Sequence, residues 1–311
     1  MVDAAIGDVR SLSGTRKRTI SQGLFQRKST IAFLMTLPLI LLIGCLVLYP
    51  AFYAVHLAML NKSMQRFVGL SNFTFLFKRE TFWMVVQQSC LFALTAVFFK
   101  ALIGFIVAHF VHNVPANKQR RWRGMLLIPW VIPPAMSTLA WLWLFDPSYS
   151  AFNWIFTHIG ISPVTWTGDA YWARFCVILI NVWYGAPFFL IMYLAALKSV
   201  PDQLYEAAQI DGANWWQRIW FVTLPMMRNI IAITVLFSTI VTFANFDIVQ
   251  VLTAGGPIDK THVFATWAFR LGIQGGDIPL GASVSLFMFP ILAICAVFIL
   301  RDIHRRGNEA S

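Results

Sequence analysis

The chain has 311 residues, of which 58% are hydrophobic and only 12% charged, against roughly a quarter charged in an ordinary soluble domain. Its apolar residues gather into runs of membrane length, which excludes a soluble globular protein and leaves too little chain for a separate catalytic domain of about 100 residues. The formal net charge of +11 is spread over loops, where it reads as topology signals and lipid-headgroup contacts rather than as a nucleic-acid footprint.

In chain order, residues 1–30 form a basic N-terminal tail that ends on Gln26-Arg27-Lys28-Ser29-Thr30. The apolar stretch after it is longer than the ~7–15 residues of a signal-peptide core and has no small-residue cleavage pattern, so it is expected to remain as a first span, 31–60. Pro38 and Pro50 interrupt this span. Because lipid cannot satisfy the carbonyls that proline frees, packing against neighbouring helices is implied. The first span and its outer loop occupy 31–81.

A core of 82–300 then carries five further spans, at 82–110, 125–145, 173–197, 229–246 and 282–300. Each is near the ~20 residues that cross about 30 Å of hydrocarbon. The uncharged stretch 147–168 is not counted, because Pro147, Asn153, His158, Gly160 and Pro163 break it. It is expected to be an outer loop with one short interfacial helix. Residues 301–311 form a C-terminal tail.

The predicted fold class is therefore all-α, a polytopic membrane protein with six transmembrane helices. Lys and Arg number six in 1–30, four in 113–124, three in 198–228 and three in 301–311, against seven in the alternate loops. That bias puts both termini in the cytoplasm. Cys45, Cys90, Cys176 and Cys295 all fall within spans, so neither a disulfide nor a metal site is expected. The six histidines show no metal-ligand spacing. Lys100 is the one basic residue well inside a span; it is expected to snorkel to the interface, with an anionic substrate as the alternative partner.

The cytoplasmic loop between the fourth and fifth spans, 199–226, carries the most information. Pro201 opens a helix, and Glu206-Ala207-Ala208-Gln209-Ile210-Asp211-Gly212-Ala213 closes it on a glycine. Asn214 then caps a second short helix, with Gln217 in the capping-box position, and Pro225 is expected to mark re-entry into the membrane. The second helix bears Trp215, Trp216, Ile219, Trp220 and Phe221, more apolar surface than a solvated loop carries without a partner or a bilayer beside it.

Residues 206–225 resemble the EAA loop of permease subunits of ATP-binding-cassette (ABC) importers. Glu206, Ala207, Ala208, Asp211, Gly212, Ala213, Leu224 and Pro225 match its consensus, with bulky Trp216 after the Asp-Gly-Ala and Ile219 where phenylalanine is common. Further similarity lies in Tyr49-Pro50, in Val68-Gly69-Leu70-Ser71-Asn72-Phe73, in Pro129 with Pro133, and in Leu252-Thr253-Ala254-Gly255-Gly256-Pro257. Together these resemble the carbohydrate branch, the maltose and glycerol-phosphate type of bacterial inner-membrane permease with the type I fold.

The resemblance implies a non-catalytic chain. Its partners would be a second homologous permease subunit in a heterodimer, two ATPase subunits that bind ATP and Mg, and an extracytoplasmic solute-binding protein that confers much of the selectivity. No cofactor is implied in this chain, which contains no Gly-x-x-x-x-Gly-Lys-Ser/Thr loop. The loop helix would seat in the ATPase and pass its closure to the spans as rigid-body motion. Trp141, Trp143, Asn181, Trp183, Tyr184, Asn245 and Asp247 fall in the region that lines the path in the family, and aromatic faces beside amides and carboxylates suit sugar rings. A secondary transporter driven by protons or sodium is the rival reading, weakened by the shortage of intramembrane carboxylates.

Overall fold

The computed structural model describes the backbone of residues 28–308 and the side chains of 32–301; the tail 1–27 and residues 309–311 lie outside the described residues. The chain divides into two units, Met1–Tyr53 and Ala54–Ser311. Helix α1 (Lys28–Ile43) runs through a π-helical turn, Gly44–Leu48, into α2 (Tyr49–Ala58), within which the boundary between the units falls. Leu39, Leu46 and Phe52 are exposed, which is stable where hydrocarbon is the solvent. Just before Pro50 the N–H of Tyr49 reaches back five residues to the carbonyl of Gly44, and the widened turn relieves the proline ring at the next position.

The second unit is built of helices. The loop after α2 closes with α3 (Ser71–Phe77), where the Asn72 side-chain amide donates to the carbonyls of Ala58 and Leu60, both at 2.8 Å. These orphan carbonyls at the end of α2 explain an asparagine at this position. Next come α4 (Glu80–His112), α5 (Ala116–Leu126), α6 (Ile128–Val131), α7 (Pro134–Leu144), α8 (Ala151–His158) and α9 (Ala170–Lys198). Helix α8 is the short helix expected within 147–168. Ser150 caps it, and the buried Asn153 pins the loop through Val164 and Trp166.

Among the described residues, five helices are long and apolar enough to cross a membrane: Ala32–Ala58, Glu80–His112, Ala170–Lys198, Trp215–Phe243 and Ile278–Arg301. The continuous span expected at 125–145 is corrected to three pieces. Ile132 and Pro133 are extended (ψ 134 and 133), because proline removes a helical donor and pushes the residue before it out of the helical region. Two consecutive prolines, Pro133 and Pro134, enforce both effects at one point.

Helices α4 and α9 form the centre of the bundle, packed with α12 (Leu224–Phe243) around Val97, Phe189, Tyr193, Leu197 and Met227. Gly104 of α4 permits their close approach. A Cβ built there would overlap that of Phe189 and lie 3.2 Å from the backbone of Phe189 and Leu190, so a small residue sets the helix separation. The chain ends with α13 (Asp247–Leu252), α14 (Phe264–Phe269), a π-helical turn Arg270–Gln274, α15 (Ile278–Leu286) and α16 (Met288–Asn308).

His262, in the loop before α14, is 1% exposed. Its Nδ1 pairs with Thr266 Oγ1 at 3.0 Å and its Nε2 with Arg270 Nη1 at 3.0 Å, while Arg270 also ion-pairs with Asp259. Because guanidinium only donates, Nε2 must accept, and the ring is neutral with its proton on Nδ1. Burial pushes the imidazole pKa down to about 4 from 6.5, with Asp259 opposing and Arg270 reinforcing the shift. A depressed folded pKa gives stability that is complete above 6.5 and lost as pH falls toward 4. The loss is about 2 kcal/mol by about pH 5. Thermal unfolding of the purified chain should therefore show a falling midpoint across this window, and His262→Gln should be less stable at neutral pH but flatter through it.

Candidate functional site

The loop between α9 and α12 is organised by two caps. Helix α10 (Asp202–Ile210) starts directly after Pro201, as expected. At its end Ala213 N–H donates to the carbonyl of Ala208 at 2.9 Å, and Gly212 N–H to that of Gln209 at 3.0 Å. These are the two bonds of a Schellman motif, with Asp211 at the C-cap and Gly212 in the left-handed region at φ +77. Ala208, Asp211, Gly212 and Ala213 are thus parts of one cap, which accounts for their spacing. Around Gly212 a built Cβ meets nothing within 4 Å; the requirement there is conformational, not steric.

Asn214 then caps α11 (Trp215–Arg218) with the full capping box. Its Oδ1 accepts from Gln217 N–H at 2.9 Å, and Gln217 Oε1 accepts from Asn214 N–H at 2.8 Å. Pro225, expected to mark re-entry into the membrane, lies within a continuous helix. Helix α11 passes through a π-helical turn, Ile219–Thr223, straight into α12. The Leu224 N–H bonds to Ile219 O, five residues back, and the wider turn accepts Pro225 as it does Pro50. Helix α11 therefore continues into α12 without a break, whereas α10 is set off from α11 by the capped Gly212 turn.

Glu206, Ala207, Asp211, Gly212, Trp216 and Pro225 are exposed, while Ala208, Ala213 and Leu224 are half-buried. Glu206 takes part in neither of the ion pairs among the described residues. Ile219 is buried and packs as its apolar character requires. Two ties to the bundle had no sequence signal: the Tyr205 hydroxyl meets Thr223 Oγ1 at 3.0 Å, and the Trp215 indole N–H donates to His109 Nε2 at 3.3 Å.

The expected path residues do not form one group. Trp141 stacks on Phe145 and Phe152 and meets Trp183 edge-on, with ring centroids 5.5 Å apart. Tyr184 packs against the same cluster, and Asp247 stands at the start of α13. Trp143 lies apart, 81% exposed. Asn181 is buried, Asn245 half-buried, and the Oδ1 atom of each lacks a partner.

Lys100 does not snorkel. It is 4% exposed, about 18 Å of helix from the nearer end of α4, and its Nζ donates to Thr242 Oγ1 at 2.9 Å. Thr242 in turn donates to the carbonyl of Ser238 at 2.6 Å. Gly185 provides the space, since a Cβ there would stand 2.8 Å from the lysine Cδ and Cε. Asn181 sits one turn before Gly185 on α9, and Asn245 follows the C-terminal end of α12. Thr242, Ser238 and Gly185 carried no cue beyond their four-residue spacings.

An apolar helical bundle with an exposed, doubly capped turn fits the membrane component of a transport system. Residues 100–306 match the family described as binding-protein-dependent transport system inner membrane component, and the chain belongs to it. Among its relatives, the trehalose/maltose transport system permease protein MalF of Thermococcus litoralis is 30% identical over 283 residues, covering 88% of this chain and 94% of that protein. The sulfoquinovosyl glycerol transport system permease protein SmoG of Agrobacterium fabrum is 28% identical over 275 residues, covering 86% and 89%. In fold the chain is similar to the crystal structure of a bacterial ABC transporter involved in the import of the acidic polysaccharide alginate, with TM-score 0.76 at 24% identity over 88% of this chain and 95% of that one. The chain is thus the non-catalytic permease subunit of a binding-protein-dependent ABC importer with the type I fold, in the inner membrane.

Proposed function

We propose that this permease imports a sugar or sugar derivative as one half of a heterodimeric pore. A second homologous permease subunit completes the pore, two ATPase subunits holding ATP and Mg power it, and an extracytoplasmic solute-binding protein delivers the substrate. The relatives named for trehalose/maltose and for sulfoquinovosyl glycerol support the carbohydrate class. In this reading the broken segment from Ile128 to Leu144 supplies a sixth crossing, so that both termini and the 199–226 loop face the cytoplasm, as the Lys and Arg distribution requires. The boundaries 1–30, 31–81, 82–300 and 301–311 keep their assigned roles. Trp141, Trp143, Asn181, Trp183, Tyr184, Asn245 and Asp247 border the sugar path.

The observation that carries the coupling role is the exposure of Glu206, Ala207, Asp211 and Trp216 around a rigidly capped turn. Helix α11, continuous with α12, is the lever. Glu206→Arg is expected to leave insertion and yield unchanged while recovery of the ATPase in a pull-down falls about tenfold or more, as for an interfacial hot spot. Unchanged recovery would remove the coupling role from this loop. The carbohydrate assignment is tested separately in proteoliposomes of the whole transporter: ATP hydrolysis stimulated equally by amino-acid-loaded and sugar-loaded binding protein would end it.

A further inference from the structure

A groove of roughly 450 Å3 runs along the exposed side of α4, where α11 and the start of α12 flank it, and its lining is almost wholly apolar. Its floor is the buried pair Tyr193 and Ile219, and Trp220, Leu224 and Ile231 line the side of α12. The opposite rim is Phe98, Leu102, Ile106 and Phe110, all exposed. Their four-residue spacing puts them on one face of α4, a helix long and apolar enough to cross a membrane.

The dimensions of the groove decide what fits it. From Phe98 to Phe110 is about 18 Å of helix, close to the about 15 Å of hydrocarbon in one leaflet. Spread over that length, the volume leaves a section about 5 Å across. That is room for one polymethylene chain whose carbons keep contacts of about 4 Å, and half the about 10–12 Å of a helix with its side chains. One cation stands beside the groove. Arg228 follows Leu224 by four residues and precedes Ile231 by three, so it shares their face of α12. It is exposed and takes part in neither ion pair among the described residues. Helical side chains lean toward the helix N-terminus, which turns this guanidinium toward the loop end of the groove, where the exposed rings of Trp215 and Trp220 suit a headgroup region. We propose that the groove holds one acyl chain of an anionic phospholipid, from the leaflet on the side of the 199–226 loop, with Arg228 on its phosphate. Guanidinium and phosphate form charge-assisted hydrogen bonds, and the acyl chain spans the seam between α4 and the α11–α12 helix. The site depends on neither the coupling role nor the sugar assignment proposed above.

The test uses the whole transporter, delipidated in detergent and then offered equal amounts of phosphatidylglycerol and phosphatidylcholine, with retained lipid counted by native mass spectrometry. Phosphatidylglycerol should be retained over phosphatidylcholine by about fivefold or more, as one basic residue at a membrane surface provides. Leu102→Trp, which fills the groove from its exposed rim, should lower retained phosphatidylglycerol about tenfold; Ile106→Trp, on the same rim, serves if Leu102→Trp does not fold. Arg228→Gln should keep a bound lipid but lose the preference between the two headgroups. Equal retention of both lipids by the parent, or retention undiminished in the tryptophan variants, would overturn the proposal and leave only a fluid lipid shell. Lipid held by the isolated chain but absent from the whole transporter would overturn it as well, since another subunit would then cover the groove.

Discussion

Gly212→Pro is expected to give a chain that folds and inserts but supports less than about a tenth of the transport of the parent. Gly212 occupies φ +77, and proline is fixed near −65. The substitution also removes the N–H that bonds to Gln209 O and disfavours the helical conformation of Asp211 before it. Together these cost about 3 kcal/mol or more locally, enough to abolish the Schellman cap and re-aim α10 with Glu206. Gly212 is exposed and a Cβ built there meets nothing within 4 Å, so the bundle itself should be spared. The unfolding midpoint in detergent should stay near that of the parent while ATPase capture and solute uptake collapse. Gly212→Ala, which pays only the left-handed penalty of about 1–2 kcal/mol, should fall between. Uptake by Gly212→Pro within twofold of the parent would show that the turn does not set coupling.

Gly104→Val should act in the opposite manner and remove the fold itself. The built Cβ falls on that of Phe189 and against the backbone of α9, neither of which can swing aside as a side-chain tip could. Overpacking of this kind costs about 1–3 kcal/mol for a single added methyl, and more for a branched group. Gly104→Ala should therefore lower the unfolding midpoint visibly, and Gly104→Val should leave little monodisperse protein on size-exclusion chromatography. Gly124, at the end of α5, has nothing within 4 Å of a built Cβ, so Gly124→Ala is the matched control and should be neutral. If Gly104→Val matched that control, α4 and α9 would not be held by the contact described.

The membrane class, the positions of the long spans and both caps of the 199–226 loop could be read from residue order and composition alone. Run length and composition decide the first two, because crossing hydrocarbon is a one-dimensional requirement. The caps were legible because Pro201, Gly212, Asn214 and Gln217 act through hydrogen bonds that close within five residues. The remaining features emerge only on packing. The π-helical turn that carries α11 through Pro225 into α12 trades one backbone register for another, and no side-chain pattern announces the trade. Lys100 found Thr242 across 142 positions of sequence, and Trp141 paired with Trp183 while Trp143, two residues along the same helix, turned outward. Such outcomes depend on how each helix is rotated and which face a neighbour covers, quantities that arise only when the helices pack.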